Sequence, residues 1–429
     1  MERYNEYKDS GVQWLGEIPS HWECEKAKRH FQSRKQIVGR NSSQYERLAL
    51  TLKGVIKRFE GDGVGLNPEK LDTYQIVDKD DLIFKLIDLE NVSTSRVGLS
   101  PYKGIVSPAY IRISAVDEVN IRFAEYYYLN MWMRHIFNDL GTPGVRSNLS
   151  STDLLNLPLL YPSIVEQKAI ASYLDKATAK IDEAIAQQQK MIGLLNERKQ
   201  IIINNAVTKG LNPDAPMKDS GVDWIGEIPE HWIITKLKHL VEITDGTHDT
   251  PRYVDPSSNT YPLVTSRCIV NGVIDLSLAN HITEQDYNYI ATRSYVRRND
   301  VIMPMIGTVG NPAIVDFEDS IAIKNVALFR TNGDINIAKF LKYLLNSTVV
   351  KEQFAMYNKG GVQNFVSQEI LKNLAIIVPD NITDIVGFLE REIAKIETPI
   401  IAHNQQISLL QERKQIIIND VVTGKVKVS

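Results

Sequence analysis

Few residues in this 429-residue chain combine the types and spacing that covalent chemistry needs. The nearest approach is Pro379-Asp380 with Glu412-Arg413-Lys414, the Pro-Asp and Glu-x-Lys arrangement with which nucleases hold a divalent ion and activate water. Its context defeats it. Glu412 to Lys414 falls in a helical stretch and recurs as Glu197 to Lys199, where Pro162-Ser163 stands upstream without an aspartate. His21 and His231 each sit beside a tryptophan in a repeated segment and read as structural. His248 lies in a polar loop, and a lone histidine makes no metal site. Cys24 and Cys268 are too few for a disulfide framework or a structural zinc site and read as small buried hydrophobes. The sequence has no Gly-x4-Gly-Lys-Ser/Thr phosphate loop, no Asn/Asp-Pro-Pro-Tyr/Phe segment, and no glycine-rich loop after the first strand of an alternating β/α run. Nucleotide hydrolysis and methyl transfer therefore have no visible seat, and no catalytic residue or metal ligand is assigned.

The segments that must position any working side chain come twice. Lys8 to Trp22 (KDSGVQWLGEIPSHW) recurs as Lys218 to Trp232 (KDSGVDWIGEIPEHW), identical at 12 of 15 positions with an offset of 210. Leu195 to Thr208 recurs as Leu410 to Thr423 at an offset of 215. A fainter match at 217 pairs Gly144, Val145, Ser150, Leu154, Asn156, Leu157 and Pro162 with Gly361, Val362, Ser367, Leu371, Asn373, Leu374 and Pro379. The order is the same in both halves, so the chain is a tandem duplication. The middles, Tyr45 to Leu140 and Val254 to Tyr357, share little beyond scattered strand positions, whereas the surface-type residues Glu197 to Gln200 are identical to Glu412 to Gln415. Two modules held alike but reading different things would give that contrast; neutral drift would not.

Each copy has two parts. The middle is rich in short apolar or β-branched runs (Asp81 to Leu86, Gly104 to Ile113, Tyr261 to Thr265, Asp300 to Ile306, Ile321 to Phe329) broken by Gly, Pro, Asn and Asp, which predicts twisted β-structure. Short helices are expected near Phe123 to Asn138 and Ile337 to Tyr357. The end of each copy, Ile164 to Thr208 and Ile382 to Val422, reads as one long helix, with Pro399 a place for a kink. These helices carry one heptad register: Leu174, Ile181, Gln188, Leu195 and Ile202 in the first, Leu389, Ile396, His403, Leu410 and Ile417 in the second. Thr178, Ile185, Ile192 and Lys199, and Ile393, Ile400, Ile407 and Lys414, fill the rows between. Two narrow seams in one register predict an intramolecular coiled coil, with polar Gln188 and His403 at the same core position.

Length and composition bound the class. At about 100 to 200 residues per domain the chain should hold two to four. With 43% hydrophobic and 24% charged residues it is neither disordered nor collagen-like. No apolar run approaches ~18 residues and no apolar stretch follows a basic N-terminus, so a cytoplasmic protein without a membrane segment is expected. The net charge of -3 argues against gripping nucleic acid by bulk charge.

With these motifs in view, the chain resembles the DNA-specificity subunit of type I restriction-modification systems. The resemblance covers nearly the whole chain. It rests on the Ser-Gly-Val-x-Trp-Leu/Ile-Gly-Glu-Ile-Pro-x-His-Trp entry of each half and on a closing signature. In the first half that signature runs through Gly144, Leu149, Ser150, Leu157 and Pro162 to Glu166, Gln167 and Ile170, then Leu194 to Lys199 and Ala206 to Gly210. The second half keeps Gly361, Ser367, Leu374 and Pro379 but has Thr383 and Asp384 near the place of the Glu-Gln pair. Asp245-Gly246-Thr247-His248 with Pro251, and Gly307 to Gly310, are usual in one class of target recognition domain, and Gly104 to Tyr110 in another. Two unlike half-sites are implied.

The resemblance implies an α+β chain, non-catalytic, with a target recognition domain at 1–163, a spacer helix at 164–211, a second recognition domain at 212–381 and a second spacer helix at 382–429. The helices would pair antiparallel and dock two adenine methyltransferase subunits, through which restriction/translocase subunits would join. No cofactor is expected on this chain, S-adenosylmethionine belonging to the methyltransferases. The partner would be double-stranded DNA, read as a split asymmetric sequence with half-sites about one helical turn, ~34 Å, apart. A scaffold whose two modules bind proteins across a coiled-coil spacer is the alternative.

Base edges are read by Arg or Lys at guanine and Asn or Gln at adenine. Candidates in the first middle are Lys53, Lys57, Arg58, the loop Ser93, Thr94, Ser95 and Arg96, then Lys103, Ser107, and Arg146 with Ser147. In the second they are Thr247, His248, Arg252, Thr308, Lys324, Asn325, Lys359, Gln363 and Asn364. Ser107 and Lys324 correspond, as do Arg146 and Gln363. Residues 1–163 carry 21 basic and 21 acidic groups and 212–381 carry 15 and 20, so neither module should hold DNA tightly alone.

Overall fold

A computed structural model describes residues 2–59, 70–89, 95–141, 148–307, 309–357 and 365–428. It is α+β, built from two compact units that do not follow chain order. One unit is 1–189 together with 404–429, the other is 190–403. Among the described residues no helix is long and apolar enough to cross a membrane.

The first unit opens on a hairpin, Tyr7–Asp9 against Glu17–Pro19, whose turn uses Gly11 and Gly16 at positive φ. Two four-stranded sheets follow. One runs in the order Phe31–Gln32, Ile111–Ala115, Leu82–Phe84, Val97–Leu99; the other runs Gly54–Arg58, Arg47–Thr51, Gly104–Val106, Gln75–Val77. Gly104–Val106 lies parallel to Arg47–Thr51 while the other pairings are antiparallel. The parallel approach explains Gly104, since a Cβ there would stand 2.6 Å from the Glu46 carbonyl oxygen. Helix Ile121–Met133 covers the first sheet, burying Phe123, Tyr127 and Tyr128 with Leu82 and Phe84 in one apolar cluster.

The second unit repeats this frame. A hairpin, Met217–Asp219 with Glu227–Pro229, leads to a sheet ordered Glu242–Asp245, Val326–Arg330, Val301–Pro304, Ala313–Ile314. Beside it is a three-stranded sheet, Asn280–Thr283, Thr260–Val264, Ala322–Ile323, again with one parallel pair. Helix Ile335–Leu345 covers the four-stranded sheet, packing Phe340, Leu341 and Leu344 with Ile243, Val301 and Phe329, as Ile121–Met133 covers its own. The divergent middles thus share a frame, a four-stranded sheet and a second sheet that carries a single parallel pair. Helix Glu284–Ser294, capped by Thr283, has no counterpart among the described residues of the first unit.

The long helices run Ile164–Thr208 and Ile382–Val422, the bounds that periodicity predicts, and the second continues through Pro399. Their heptad rows are the least exposed line on each. Leu174, Thr178 and Ile181, and Leu389, Ile393 and Ile396, are buried, and the rows from Ile185 to Ile202 and from Ile400 to Ile417 are half-buried between exposed neighbours. Gln188 and His403 lie in that half-buried line. Within the first unit Leu174 shares a core with Ile418, Val421 and Val422, and Asp182 meets Lys414 at 2.7 Å. Within the second, Ile203 and Val207 share a core with Ile385, Val386 and Leu389, and Lys199 meets Glu397 at 2.7 Å. In each unit one segment advances as its partner recedes, so each holds an antiparallel seam. Lys199 and Lys414 occupy apolar-type positions because their stems lie along the seam and their ammonium groups reach a carboxylate across it.

The repeated ends also meet. In the first unit Gly424 (φ 74°) lies on the entry segment, where a Cβ would stand 2.4 Å from Pro19 and 3.2 Å from Trp22, and the Tyr7 hydroxyl donates to the Gly424 carbonyl at 3.1 Å. In the second unit Gly210 (φ 78°) lies against Trp232, 3.1 Å from such a Cβ.

This register is testable by charge reversal. Lys199→Glu should lower thermal stability by up to about 1 kcal/mol, the size of a partly exposed ion pair, and adding Glu397→Lys should restore most of it. Equal, additive losses for both changes would show that the two residues do not face each other.

Candidate nucleic-acid interface

In the second unit the strand Glu242–Asp245 ends in a buried carboxylate. Gly246, Thr247 and His248 then turn across the end of Ala322–Ile323. Thr247 forms a parallel bridge with Lys324, its amide donates to the Ile323 carbonyl at 3.0 Å, and its own carbonyl accepts from the Asn325 amide at 3.1 Å. Gly246 is forced by this crossing, because a Cβ would stand 2.3 Å from the Ile323 oxygen. Asn325 takes φ 56°, a conformation asparagine tolerates better than most residues. The Lys324 ammonium donates to the Thr250 hydroxyl. His248 Nε2 donates to Asp245 Oδ2 at 3.0 Å and Nδ1 lies 3.0 Å from Asn325 Oδ1. Asp245 Oδ1 accepts from Arg293, which arrives from the last turn of Glu284–Ser294.

The structure therefore brings together four residues singled out from sequence, Thr247, His248, Lys324 and Asn325. It adds Asp245 and Arg293. Arg252 is exposed a few residues away, where Tyr253, Asp255, Asn280 and His281 line a surface cleft with it.

The topologically equivalent loop in the first unit follows Gly104–Val106. Here the Ser107 carbonyl accepts from buried Gln75 at 3.1 Å, the Gln75 amide also reaches the Tyr110 carbonyl at 2.5 Å, and the Lys35 ammonium donates to the Pro108 carbonyl at 2.9 Å. Lys53 sits exposed at the turn between Arg47–Thr51 and Gly54–Arg58. Lys57 pairs with Glu46 at 2.6 Å and lies 4.8 Å from the Tyr102 ring centroid. Arg58 is half-buried on the same strand. Lys103 pairs with Asp78 at 3.0 Å; that hydrogen bond, working against burial and helped by Arg112, holds the Asp78 carboxyl below its usual range.

Arg96 departs from the expectation of a loop contact. It is 1% exposed and its guanidinium donates to the carbonyls of Lys85, Ile87 and Asp88, so it staples the backbone from inside. Ser95 is likewise buried. Ser93, Thr94, Arg146, Ser147, Thr308, Lys359, Gln363 and Asn364 lie outside the described residues.

His21 takes the structural place expected of it. Its Nε2 meets Glu166 Oε1 at 2.9 Å, and Trp22 Nε1 and the Ser163 hydroxyl donate to the same carboxylate, capping the first long helix. Burial pushes the Glu166 carboxyl up, and these bonds outweigh it, leaving it below its ordinary value. The second half rebuilds the cap with other residues: Asn381 Oδ1 accepts from the Asp384 amide at 3.2 Å and Nδ2 donates back to its carboxylate at 2.6 Å. Cys24 and Cys268 are free thiols, and among the described residues no His, Cys, Asp and Glu group could hold a metal ion.

Residues 30–192 and 229–415 both match the family described as type I restriction modification DNA specificity domain, together most of the chain. The chain belongs to this family. The type I restriction enzyme MjaVIII specificity subunit of Methanocaldococcus jannaschii is 24% identical over 377 residues, 86% of this chain and 84% of that protein. The EcoBI specificity subunit of Escherichia coli is 27% identical over 270 residues, 61% of this chain and 56% of its own. A solved chain described under complex assembly and conformational transition of the type I R-M system shares the fold, with TM-score 0.63 at 14% identity over 95% of this chain and 99% of that one. The two specificity domains correspond to the two copies of the sequence repeat, and the polar loops just described lie one in each.

Sterics at the turn predict opposite outcomes for two glycines. Gly246→Ala should destabilise the second specificity domain by about 1 to 3 kcal/mol, because backbone must shift. Gly193→Ala, in the first long helix with nothing within 4 Å of its Cβ, should be stabilising by up to about 1 kcal/mol. Thermal unfolding of both variants checks this, and an unchanged midpoint for Gly246→Ala would contradict the close crossing.

Proposed function

We propose that the chain is the recognition subunit of a type I restriction-modification complex, reading a split, asymmetric DNA sequence with one half-site for each specificity domain. The observation that carries this is a shared frame with different polar groups at the equivalent loop. Ser107 and its neighbours follow the parallel strand in one domain, and Lys324 and Asn325 follow it in the other. A scaffold that bound the same protein twice would have no need of unlike loops on like frames.

The near-neutral charge of the chain, -3 overall, limits its own grip on phosphates, so partners supply much of the backbone attraction. Those partners are two methyltransferase subunits, which bind S-adenosylmethionine and carry the chemistry, with restriction/translocase subunits joining through them. The setting is the cytoplasm, on chromosomal DNA. Docking of two equal partners is supported by a repeated outward stripe: Leu194 and Ile201 on the first long helix, Leu409 and Ile416 on the second, each at least half exposed and related by the same offset of 215. Exposed apolar residues repeated at helical spacing suit a partner helix.

Exchanging residues 45–140 for the middle of another specificity subunit should change one half of the methylated motif and leave the other intact, as methylome sequencing reads it. A change in both halves would overturn independent reading. Leu194→Glu and Leu409→Glu should each cost one methyltransferase copy, and together both, by native mass spectrometry of the assembled complex. Full assembly of the double variant would remove these stripes from the docking model.

A further inference from the structure

The Asp245 carboxylate is 6% exposed and has a nitrogen partner on each of its two oxygens, the Arg293 guanidinium on one and the His248 imidazole on the other. Both partners are themselves more than half exposed, Arg293 at 58% and His248 at 54%. A buried anion whose partners point outward is an anchor rather than a surface ion pair, because its own desolvation is offset only while both donors stay in place. Arg293 spends one nitrogen on the anchor and turns the rest of its guanidinium to solvent, whereas the second nitrogen of His248 lies against Asn325 Oδ1. The loop beneath them is equally fixed, by the Thr247 bridge to Lys324 and by Gly246 against the Ile323 carbonyl. Arg293 belongs to the helix Glu284–Ser294, which has no counterpart among the described residues of the first domain, so what it reads would differ between domains.

We propose that Arg293 is a base-reading residue of the second specificity domain, presenting its guanidinium fork to a guanine edge in the major groove, and that Asp245 is the positioning residue that aims it. The proposal rests on the DNA-reading role of the domain and names one of its contacts. Guanine offers two acceptors, N7 and O6, on one edge, which the planar fork of arginine matches and the point charge of lysine does not. A phosphate would accept either. Asp245 acts before DNA arrives: with one N–H held, the guanidinium plane is set and less side-chain freedom is lost on binding.

The test uses the native system in its own cell, read by methylome sequencing, with DNA binding of the assembled complex measured on the wild-type motif and its single-base variants. The wild type comes first. If no methylated motif depends on this chain, the proposed function itself fails, separately from this inference. Given a motif, Arg293→Lys should relax one guanine position in one half-site by roughly 5- to 150-fold, the span of a lost bidentate contact, and leave other positions and the thermal midpoint unchanged. Asp245→Asn should relax the same position, and the double variant should be no worse than Arg293→Lys alone, since the two act through one contact. Wild-type discrimination by Arg293→Lys would overturn the proposal. So would a uniform loss on every sequence with no guanine position relaxed. Should Asp245→Asn lower the thermal midpoint, Arg293→Lys, at an exposed helix end, decides alone.

Discussion

Neither sequence repeat closes its own core, and the rest of the structure depends on that. The first compact unit takes residues 404–429 from the second repeat, and the second takes 190–211 from the first. Leu174 is completed by Ile418, Val421 and Val422, and Leu389 by Ile203 and Val207. Buried apolar side chains of this size are each worth about 1.5 to 3 kcal/mol, so the seam belongs to the folding of each unit and is no accessory. The same exchange explains which residues stay alike between repeats. Trp22 needs Gly424, and Trp232 needs Gly210, because the turn after each long helix lies on the entry segment of a unit begun elsewhere in the chain. Glu397 and Asp182 likewise need Lys199 and Lys414. A change in one partner must be matched in the other, 198 residues away for Lys199 and Glu397 and 232 for Asp182 and Lys414, while the middles carry no such obligation.

Much of the architecture was legible because its signals are local. The long helices followed from stretches free of proline but for Pro399, and their seam from seven-residue rows that the burial pattern reproduces from Leu174 to Ile202 and from Leu389 to Ile417. The out-of-phase units were not legible, since an offset between repeats is the same whether each copy folds on itself or exchanges a helix segment. The second helix cap was hidden for a different reason. Asn381 and Asp384 perform the task of Ser163 and Glu166 with other residue types, so the motif breaks while the hydrogen-bond pattern survives.

At the candidate interface the sequence found the loop and missed its support. Thr247, His248, Lys324 and Asn325 carry polar groups in turn-rich segments and stand out by composition. Arg293 sits 48 residues from Asp245 on a helix whose pattern is unremarkable, and only the fold brings the two together. Arg96 erred the other way. Its loop is polar enough to look like surface, yet three carbonyls turned inward by the chain need a donor, and an arginine fork supplies several.

The two domains show how one frame can carry different readers. In both, a single parallel strand pair leaves the following loop at the sheet end, and in both a buried polar side chain on a nearby strand braces that end. In the first domain Gln75 holds it through the Ser107 and Tyr110 carbonyls, which ties down backbone and leaves the side chains unspecified. In the second, Asp245 holds it through the side chains of His248 and Arg293, which ties down the outward-facing groups themselves. Backbone support tolerates changes in loop side chains, whereas carboxylate support demands donors at fixed places. The first loop is thus free to vary on a constant scaffold, and the second can change what it presents only by changing Asp245 with its partners.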